Sequence, residues 1–412
     1  MSTEHSKRAA KFTADVEKTT WHDATFWSVR QKRDKMAHEL PEWEDLRELA
    51  SEIKMHTITH LADYLDVFSK NLESRGVKVH WAKDAQEFNE IVLGILNDHH
   101  VKKMVKSKSM LTEECEMNPY LEKHGIDVVE TDLGERIIQL LGQKPSHIVM
   151  PAIHLKREEV GKMFEEKGIS KEIGNYDPTY LTRCARHHLR DQFMEAGAGM
   201  TGCNFGVAET GDCVVCTNEG NADMTTSMPK LHIVAMGIEK LVPDYKSLAV
   251  FQRLLCRCGT GQPTTAFTSH FRQARPGAEM HVVLVDNGRS DILADKDHWQ
   301  TLKCMRCGAC MNTCPVYRRS GGYSYTYFIP GPVGVNLGML KNPQKYADNV
   351  SACTLCLSCD NVCPSKVGPG SQIYVWRQSL DKLGKANPIK KAMSSGMEYL
   401  FDRPSLYTTA LR

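Results

Sequence analysis

Two short runs of cysteine in the C-terminal third of this 412-residue chain have the spacing of metal ligands. Each run is C-x2-C-x2-C-x3-C followed directly by proline, which is the pattern of bacterial ferredoxins. Three closely spaced cysteines wrap a tight loop around one cubane, and the fourth ligates the other cluster in two-cluster ferredoxins. The two runs consist of Cys304, Cys307, Cys310 and Cys314, and of Cys353, Cys356, Cys359 and Cys363.

This spacing predicts two [4Fe–4S] clusters with crossed ligands. We expect the first cluster to be held by Cys304, Cys307, Cys310 and Cys363. We expect the second to be held by Cys353, Cys356, Cys359 and Cys314. The alternative is a pair of structural zinc sites, but those use cysteines in two pairs and not a run of four closed by proline. Two clusters with no flavin or haem motif in this region indicate a one-electron relay.

Seven further cysteines lie upstream, at positions 115, 184, 203, 213, 216, 256 and 258. Cys213 and Cys216 resemble a metal-binding pair, which Cys256 and Cys258 could complete. On a strand, however, residues 213 and 216 point to opposite faces of the sheet. Free cysteine is also a common small core residue. We therefore expect core packing and keep an additional metal site as the alternative.

Composition and charge exclude several classes of protein. Lys plus Arg number 52 and Asp plus Glu 50, and this balance argues against a nucleic-acid binder. No run of about 18 apolar residues could span a membrane, and residues 1–30 lack the apolar core of a signal peptide. Fifteen cysteines in a reducing compartment are expected to be metal ligands and not disulfides. We expect a soluble cytoplasmic protein.

Apolar periodicity predicts the elements that position these cysteines. Residues 1–40 indicate a helical arm, 41–290 an α/β domain with a mostly parallel sheet, and 299–380 the cysteine-rich domain, while 381–412 form a tail without an assigned role. Residues 289–298 are polar and predict a linker. Predicted helices cover 44–72, 88–96, 158–167 and 179–195. Predicted strands cover 77–81, 104–106, 126–130, 147–150, 207–208, 213–217, 232–236 and 280–285.

Three polar segments are candidates for binding. Residues 201–211 and 218–221 are rich in glycine and amides and contain Glu209 and Glu219, two weak catalytic candidates. A simple turn would explain residues 218–221 as well. Lys106 and Lys108 lie at a predicted strand-to-helix turn that suits an anion, although a solvated basic turn is the favoured explanation. Between the cysteine runs, the tyrosines at 323, 325 and 327 suit either a partner surface or a small core.

The chain resembles the lactate-utilisation protein B family. The resemblance covers about residues 40–380, with the cysteine runs and the segment from Gly321-Gly322 to Pro330-Gly-Pro332. It is carried in the α/β domain by residues 105–110, 128–135, 145–154, 204–211, 218–221, 237–240 and 260–262. The chain departs from the family pattern at cysteines 203, 213, 216, 256 and 258, which leaves the cluster assignment intact.

The resemblance implies a lactate-utilisation domain with a fold like CoA transferases and sugar-phosphate isomerases, followed by a small helical ferredoxin-type domain. It implies an electron-transfer subunit, itself not the catalyst, in a three-protein system that oxidises L-lactate to pyruvate. Its expected partners are a second iron–sulfur protein and a second lactate-utilisation-domain protein, with the electron acceptor open. The alternatives are a cluster subunit of another dehydrogenase, or an acyl or CoA transferase with Glu209 or Glu219 as nucleophile.

Overall fold

The computed structural model describes residues 3–385 and 388–410. Helices α1 (Glu4–Thr13) and α2 (Val16–His38) come first and pack on the C-terminal, cysteine-rich region. The Nδ1 of His22 donates to the carbonyl of Arg318 at 2.7 Å, and Arg318 pairs with Asp23 at 2.6 Å. The N-terminal helices are therefore part of the wall around the cysteines.

The strands form two sheets. The larger sheet is entirely parallel, in the order β1-β10-β7-β4-β2-β3, and the smaller has the order β8-β5-β6-β9. The strands are β1 (Lys78–Ala82), β2 (Lys103–Lys106), β3 (Asp127–Glu130), β4 (Ala198–Gly202), β5 (Phe205–Val207), β6 (Asp212–Thr217), β7 (Leu231–Gly237), β8 (Leu241–Val242), β9 (Phe267–Phe271) and β10 (Glu279–Val285).

Helices cover both faces of the larger sheet, which explains why its central strands are continuous apolar runs. In the α/β region they are α3 (Trp43–Thr59), α4 (Leu61–Glu73), α5 (Ala85–Asp98), α6 (Met110–Glu114), α7 (Met117–Lys123), α8 (Leu133–Leu140), α9 (Arg157–Glu166), α10 (Pro178–Glu195), α11 (Asn221–Ser227), α12 (Tyr245–Gly259) and α13 (Arg289–Ala294). Short 3-10 turns lie at Ile238–Lys240, Trp299–Lys303 and Gly322–Ser324.

The cysteine-rich region is helical and has its own core, built on buried Tyr317, Tyr325 and Tyr327. Its helices are α14 (Ala309–Thr313), α15 (Pro315–Ser320), α16 (Gly331–Lys341), α17 (Pro343–Tyr346), α18 (Asp348–Ala352), α19 (Ser358–Val362) and α20 (Pro369–Ser379), followed by α21 (Pro388–Phe401) and α22 (Pro404–Ala410). Of the loop tyrosines, only Tyr323 is exposed, so the other two fill the core.

The predicted fold class, a mostly parallel α/β region followed by a helical cysteine-rich region, is confirmed. Most predicted strands lie within a residue or two of observed ones, but those near 207 and 213 belong to the separate smaller sheet. The predicted helix 44–72 is two helices, because His60 leaves helical geometry at φ −115° and ψ 30°.

Two predicted elements are wrong. The expected strand at 147–150 is a turn segment against the cysteine-rich region, because the backbone N–H groups of Val149 and Met150 donate to the His147 ring and not to a strand. The expected linker at 289–298 contains α13, and Arg289 is buried because two carboxylates pair with it.

Candidate functional site

The two cysteine runs fold into loops of the same shape. In each loop the residue two positions after the first cysteine is left-handed, with φ of 62° at Arg306 and 55° at Leu355. Two residues later the backbone is left-handed again, at Gly308 and Leu357. The amides of Arg306 and Leu355 donate to the sulfurs of Cys304 and Cys353, at 3.4 and 3.3 Å. These turns bend each loop around its own cysteines.

The sulfurs assemble across the two loops. The thiol of Cys310 lies among those of Cys304, Cys307 and Cys363, although Cys363 belongs to the second loop. The thiol of Cys314 in turn lies near those of Cys353 and Cys356, and Cys359 lies near Cys314. Cysteines of the two loops thus lie beside one another, as the predicted crossed ligation requires.

The spacing of these sulfurs suits a cluster better than a single ion. Tetrahedral zinc with Zn–S bonds of about 2.3 Å brings its sulfurs to roughly 3.8 Å from one another. Within residues 3–385 and 388–410, the one group of three candidate ligand atoms within 4.8 Å of one another is His99, Glu279 and His281, which contains no cysteine. Eight cysteine sulfurs at this wider spacing are the donors that two cubanes would need.

Arginines from outside the loops fix the backbone at both sets. Arg47 in α3 donates from Nε and Nη2 to the carbonyl of Cys363, both at 3.0 Å, and Arg33 in α2 donates to the carbonyl of Val362 at 3.2 Å. On the second loop, Arg377 donates to the carbonyl of Cys353 at 2.6 Å. Charged donors make the stronger class of hydrogen bond, so the ligand positions are held before any metal arrives.

A histidine joins the first loop to the α/β region. Because Nδ1 of His147 accepts from two backbone amides, its Nε2 carries the proton and donates to Asn312 at 3.1 Å. Burial lowers the pKa of His147 to about 3, so the ring stays neutral. The ring also lies where a side chain at Gly308 would go, since a Cβ there would lie 2.9 Å from it.

A cleft of about 370 Å³ lies between the α/β region and the first cysteine loop. One wall is made by the segments that follow β2, β4 and β7, at the carboxyl ends of the parallel strands. In the strand order, β2 is followed along the chain by β3 on one side, whereas β4 is followed by β7 on the other side. The strands β2 and β4 therefore flank the position at which open α/β sheets bind ligands. The opposite wall includes Met305, Arg306 and Cys307.

Buried charge organises the cleft. Arg289 pairs with Glu239 at 2.5 Å and with Glu114 at 3.0 Å. Burial opposes ionisation of Glu239, yet Arg289 and the cations Lys240 and Arg306 bring the pKa of Glu239 down to about 2. With both of these acids held by Arg289, the neighbouring Lys240 has no ion pair or hydrogen bond in the described part of the chain.

The two lysines predicted at the anion turn have different surroundings. Lys106 is buried and pairs with Glu130 at 2.7 Å and Glu113 at 3.1 Å; burial alone would lower its pKa, but these acids raise it. The charge of Lys106 is therefore balanced by these two acids inside the protein. Lys108 lines the cleft and donates to the carbonyl of Val149 at 2.7 Å.

The two glutamates proposed as weak catalytic candidates are separated. Glu219 lines the cleft, where one oxygen accepts from the amide of Leu133 at 3.2 Å. Burial, aided by Asp132, raises the pKa of Glu219 to about 7. A carboxyl group that is half protonated at neutral pH suits a hydrogen-bonding or proton-carrying role better than nucleophilic attack. Glu209 is exposed at the turn between β5 and β6, outside the cleft.

Three of the seven additional cysteines line the same cleft. Cys203, Cys216 and Cys256 line it, while Cys213 is buried in the core behind it, beside Cys203. Cys213 and Cys216 thus face opposite sides of β6. Cys258 is buried against Cys307 of the first loop. Among the described residues, no three of these cysteines have sulfurs within the 4.8 Å that a single metal ion requires.

Sequence reasoning missed Lys240 and Arg306 as residues of the cleft. Lys240 is the last residue of the segment Gly237–Lys240, which the family resemblance includes but to which the residues alone assign no role. Its position depends on Lys54, which donates to the carbonyls of Glu239 and Leu241 from a helix far away in sequence. Arg306 lies between two cysteines, where ligand spacing alone assigns no role to a basic side chain.

Comparison with known proteins gives two family matches. Residues 65–290 match the LUD domain, and residues 300–367 match the 4Fe-4S dicluster domain. Among the described residues, no helix combines the length and apolarity that a membrane crossing needs.

Several bacterial relatives are similar over most of their length. Lactate utilization protein B of Oceanobacillus iheyensis is 40% identical over 92% of this chain and 80% of its own. The protein of the same name from Bacillus pumilus is 42% identical over 86% of this chain and 76% of its own. A crystal structure of a DUF162 family protein from Deinococcus radiodurans covers 55% of this chain and 98% of its own, at 13% identity and a TM-score of 0.31.

Proposed function

Since the chain belongs to the lactate utilization protein B family, we propose that it is the electron-transfer subunit of a system that oxidises L-lactate to pyruvate. The family and the 4Fe-4S dicluster domain give it an iron–sulfur role in lactate utilization. The observation that supports the finer proposal is that Cys363 lies beside the thiol of Cys310 and Cys314 beside those of Cys353 and Cys356, because two clusters with crossed ligands would need these neighbours.

The eight cysteines would hold two clusters, each supplying one-electron transfer when bound. The set facing the cleft, which we call the inner set, consists of Cys304, Cys307, Cys310 and Cys363. The other, which we call the outer set, consists of Cys353, Cys356, Cys359 and Cys314. Cys307 of the inner set is buried and lines the cleft, whereas Cys356 of the outer set is exposed. Electrons would therefore enter beside the cleft and leave through the outer set to a partner.

The remaining features of the proposal follow from the family. The partners are a second iron–sulfur protein and a second lactate-utilisation-domain protein of the same system. The chain itself relays electrons. Its proposed domains are residues 1–40, 41–290, 299–380 and 381–412. We place it in the cytoplasm, because all fifteen cysteines are free and a reducing compartment keeps them so.

Anaerobic purification with counting of iron and acid-labile sulfide tests this function directly. We expect about eight irons per chain and, after dithionite reduction, the EPR signal of two interacting cubanes. The expected system partners should then accept electrons from the reduced protein in stopped-flow mixing. Zinc without labile sulfide would contradict the relay.

A further inference from the structure

The cleft holds polar groups that the protein itself leaves without partners. Lys240 is half-buried and has neither an ion pair nor a hydrogen bond within the described residues. Nη1 of Arg306 is buried and also lacks a hydrogen-bond partner there. On the opposite side, the hydroxyl of Ser107 is buried and unpartnered as well. Buried polar groups without partners are rare and costly, so two of them around one cavity, together with a half-buried lysine that has no partner among the described residues, indicate a missing ligand.

The two cations come from different parts of the fold and meet at one end of the cleft. Lys240 follows β7 in the α/β region, and its turn is held by Lys54. Arg306 lies between two ligand cysteines, in a left-handed backbone conformation at φ 62°. A non-glycine residue in this conformation is uncommon. Both cations act on Glu239, whose carboxylate is already paired with Arg289, so their charges remain available to a bound anion.

We propose that this cleft binds a small monocarboxylate that carries an oxygen on carbon 2, with its carboxylate on Lys240 and Arg306 beside Cys307. Ammonium and guanidinium groups are the strong donors to a carboxylate. Glu219 and Ser107 offer hydrogen-bonding groups elsewhere in the cleft for a hydroxyl or keto oxygen. Lactate and pyruvate have this chemistry, so the assignment rests on the proposed function and places its substrate on this chain.

The charge balance of the cleft favours a monoanion over phosphate. Its lining has four basic side chains, at positions 108, 240, 289 and 306, and four acidic ones, at 114, 132, 219 and 239. Protonation of Glu219 leaves a small positive excess among these side chains, and a cluster on the inner set, itself an anion, would reduce that excess, so a single negative charge is better tolerated than two. A dianion would instead add excess negative charge close to Asp132 and Glu219.

Binding to the full chain with both clusters, measured by anaerobic calorimetry, tests the site. We expect sodium pyruvate and sodium L-lactate to bind one per chain. Lys240→Met should weaken binding about ten- to hundredfold, the value of a charged hydrogen bond, while Lys240→Arg should retain most of it. The matched control is Lys246→Met, which removes an exposed lysine of the same domain. Pyruvate should also change the EPR spectrum of the reduced wild-type protein and leave that of Lys240→Met unchanged.

Each contrary result has a definite meaning. Equal binding by Lys240→Met and Lys246→Met, or no saturable binding by protein with eight irons, would overturn the site and leave the relay intact. Propionate, which lacks the oxygen on carbon 2, should bind more weakly, and equal affinity would remove that part of the assignment. Phosphate that displaces pyruvate at equal concentration would show a general anion site. Absence of labile sulfide would instead defeat the proposed function itself.

Discussion

The first cysteine loop, residues 304–314, has no exposed residue, whereas the second, residues 353–363, exposes Thr354, Cys356, Leu357 and Asn361. The spacing and the backbone turns of the two loops are alike. Their surroundings differ because the α/β region, the N-terminal helices and the cleft enclose the whole of the first loop, whereas Arg33 and Arg47 of these elements contact only the C-terminal end of the second. One sequence pattern can thus make a loop that faces an enclosed cleft and a loop that faces solvent.

The role of each loop therefore depends on the residues that pack against it. Gly308 and Leu357 show this at equivalent left-handed positions. Leucine is tolerated in the second loop because its side chain is 42% exposed. Glycine is needed in the first loop because the ring of His147 occupies the space of a side chain.

The largest expected effect comes from breaking the crossed ligation. Cys363→Ser should remove the inner cluster, although Cys363 lies in the second loop, and Cys314→Ser should remove the outer one. Each variant should fall from about eight to about four irons per chain, with loss of the interaction between the clusters in EPR. Loss of the cluster of the mutated residue's own loop would contradict the crossing.

A second substitution compares the loops at their equivalent turns. Gly308→Ala should destabilise the protein by about 2–3 kcal/mol, because left-handed strain of about 1–2 kcal/mol adds to overpacking against His147. Leu357→Ala keeps a side chain in an open position and should change stability by about 0.5 kcal/mol or less. The thermal midpoints of the two anaerobically reconstituted variants measure this difference. Equal midpoints would mean that the His147 contact is not a constraint.

The supporting arginines provide a smaller contrast. Arg47→Gln should cost about 1.5–3 kcal/mol, because it removes a buried charged donor from the carbonyl of Cys363. Arg377→Gln, at the carbonyl of Cys353, is less buried and should cost about 1 kcal/mol. Iron release to a chelator, followed by EPR, should therefore be accelerated at the inner cluster in the first variant and at the outer cluster in the second.

The smallest expected effect is a pH dependence confined to the inner site. The pKa of Glu219 is raised to about 7 and its charged neighbours in the cleft are Asp132 and Lys108, so Glu219 loses its proton as the pH rises through 7. The carboxylate then repels a bound monocarboxylate, and pyruvate affinity should fall roughly three- to tenfold between pH 6 and 8. Glu219→Gln should show a flat profile in calorimetry, and a wild-type profile in this variant would assign the dependence elsewhere.

The sequence predicted what local patterns determine. Cysteine spacing predicted both loops, and apolar runs predicted β7 and β10, which are buried on both faces. It missed β4, because Ala198–Gly202 contains two glycines and no β-branched residue before Thr201. Gly199 is required there, since a Cβ would lie 1.8 Å from the carbonyl of Thr225. The cleft residues Lys240 and Arg306 could not be predicted, because only tertiary packing leaves them without partners.

The contacts of Arg33 and Arg47 with the second loop have a consequence for how the protein is made. These arginines are separated from Val362 and Cys363 by 329 and 316 positions along the chain. During translation, the helices that steady the last sulfur of the inner site therefore emerge long before that sulfur. Iron delivered to a nascent chain would meet three of the four inner cysteines first. With the proposed crossed ligation, the inner cluster would be completed only after residue 363 leaves the ribosome, so chains that terminate before residue 363 would lack one of its ligands.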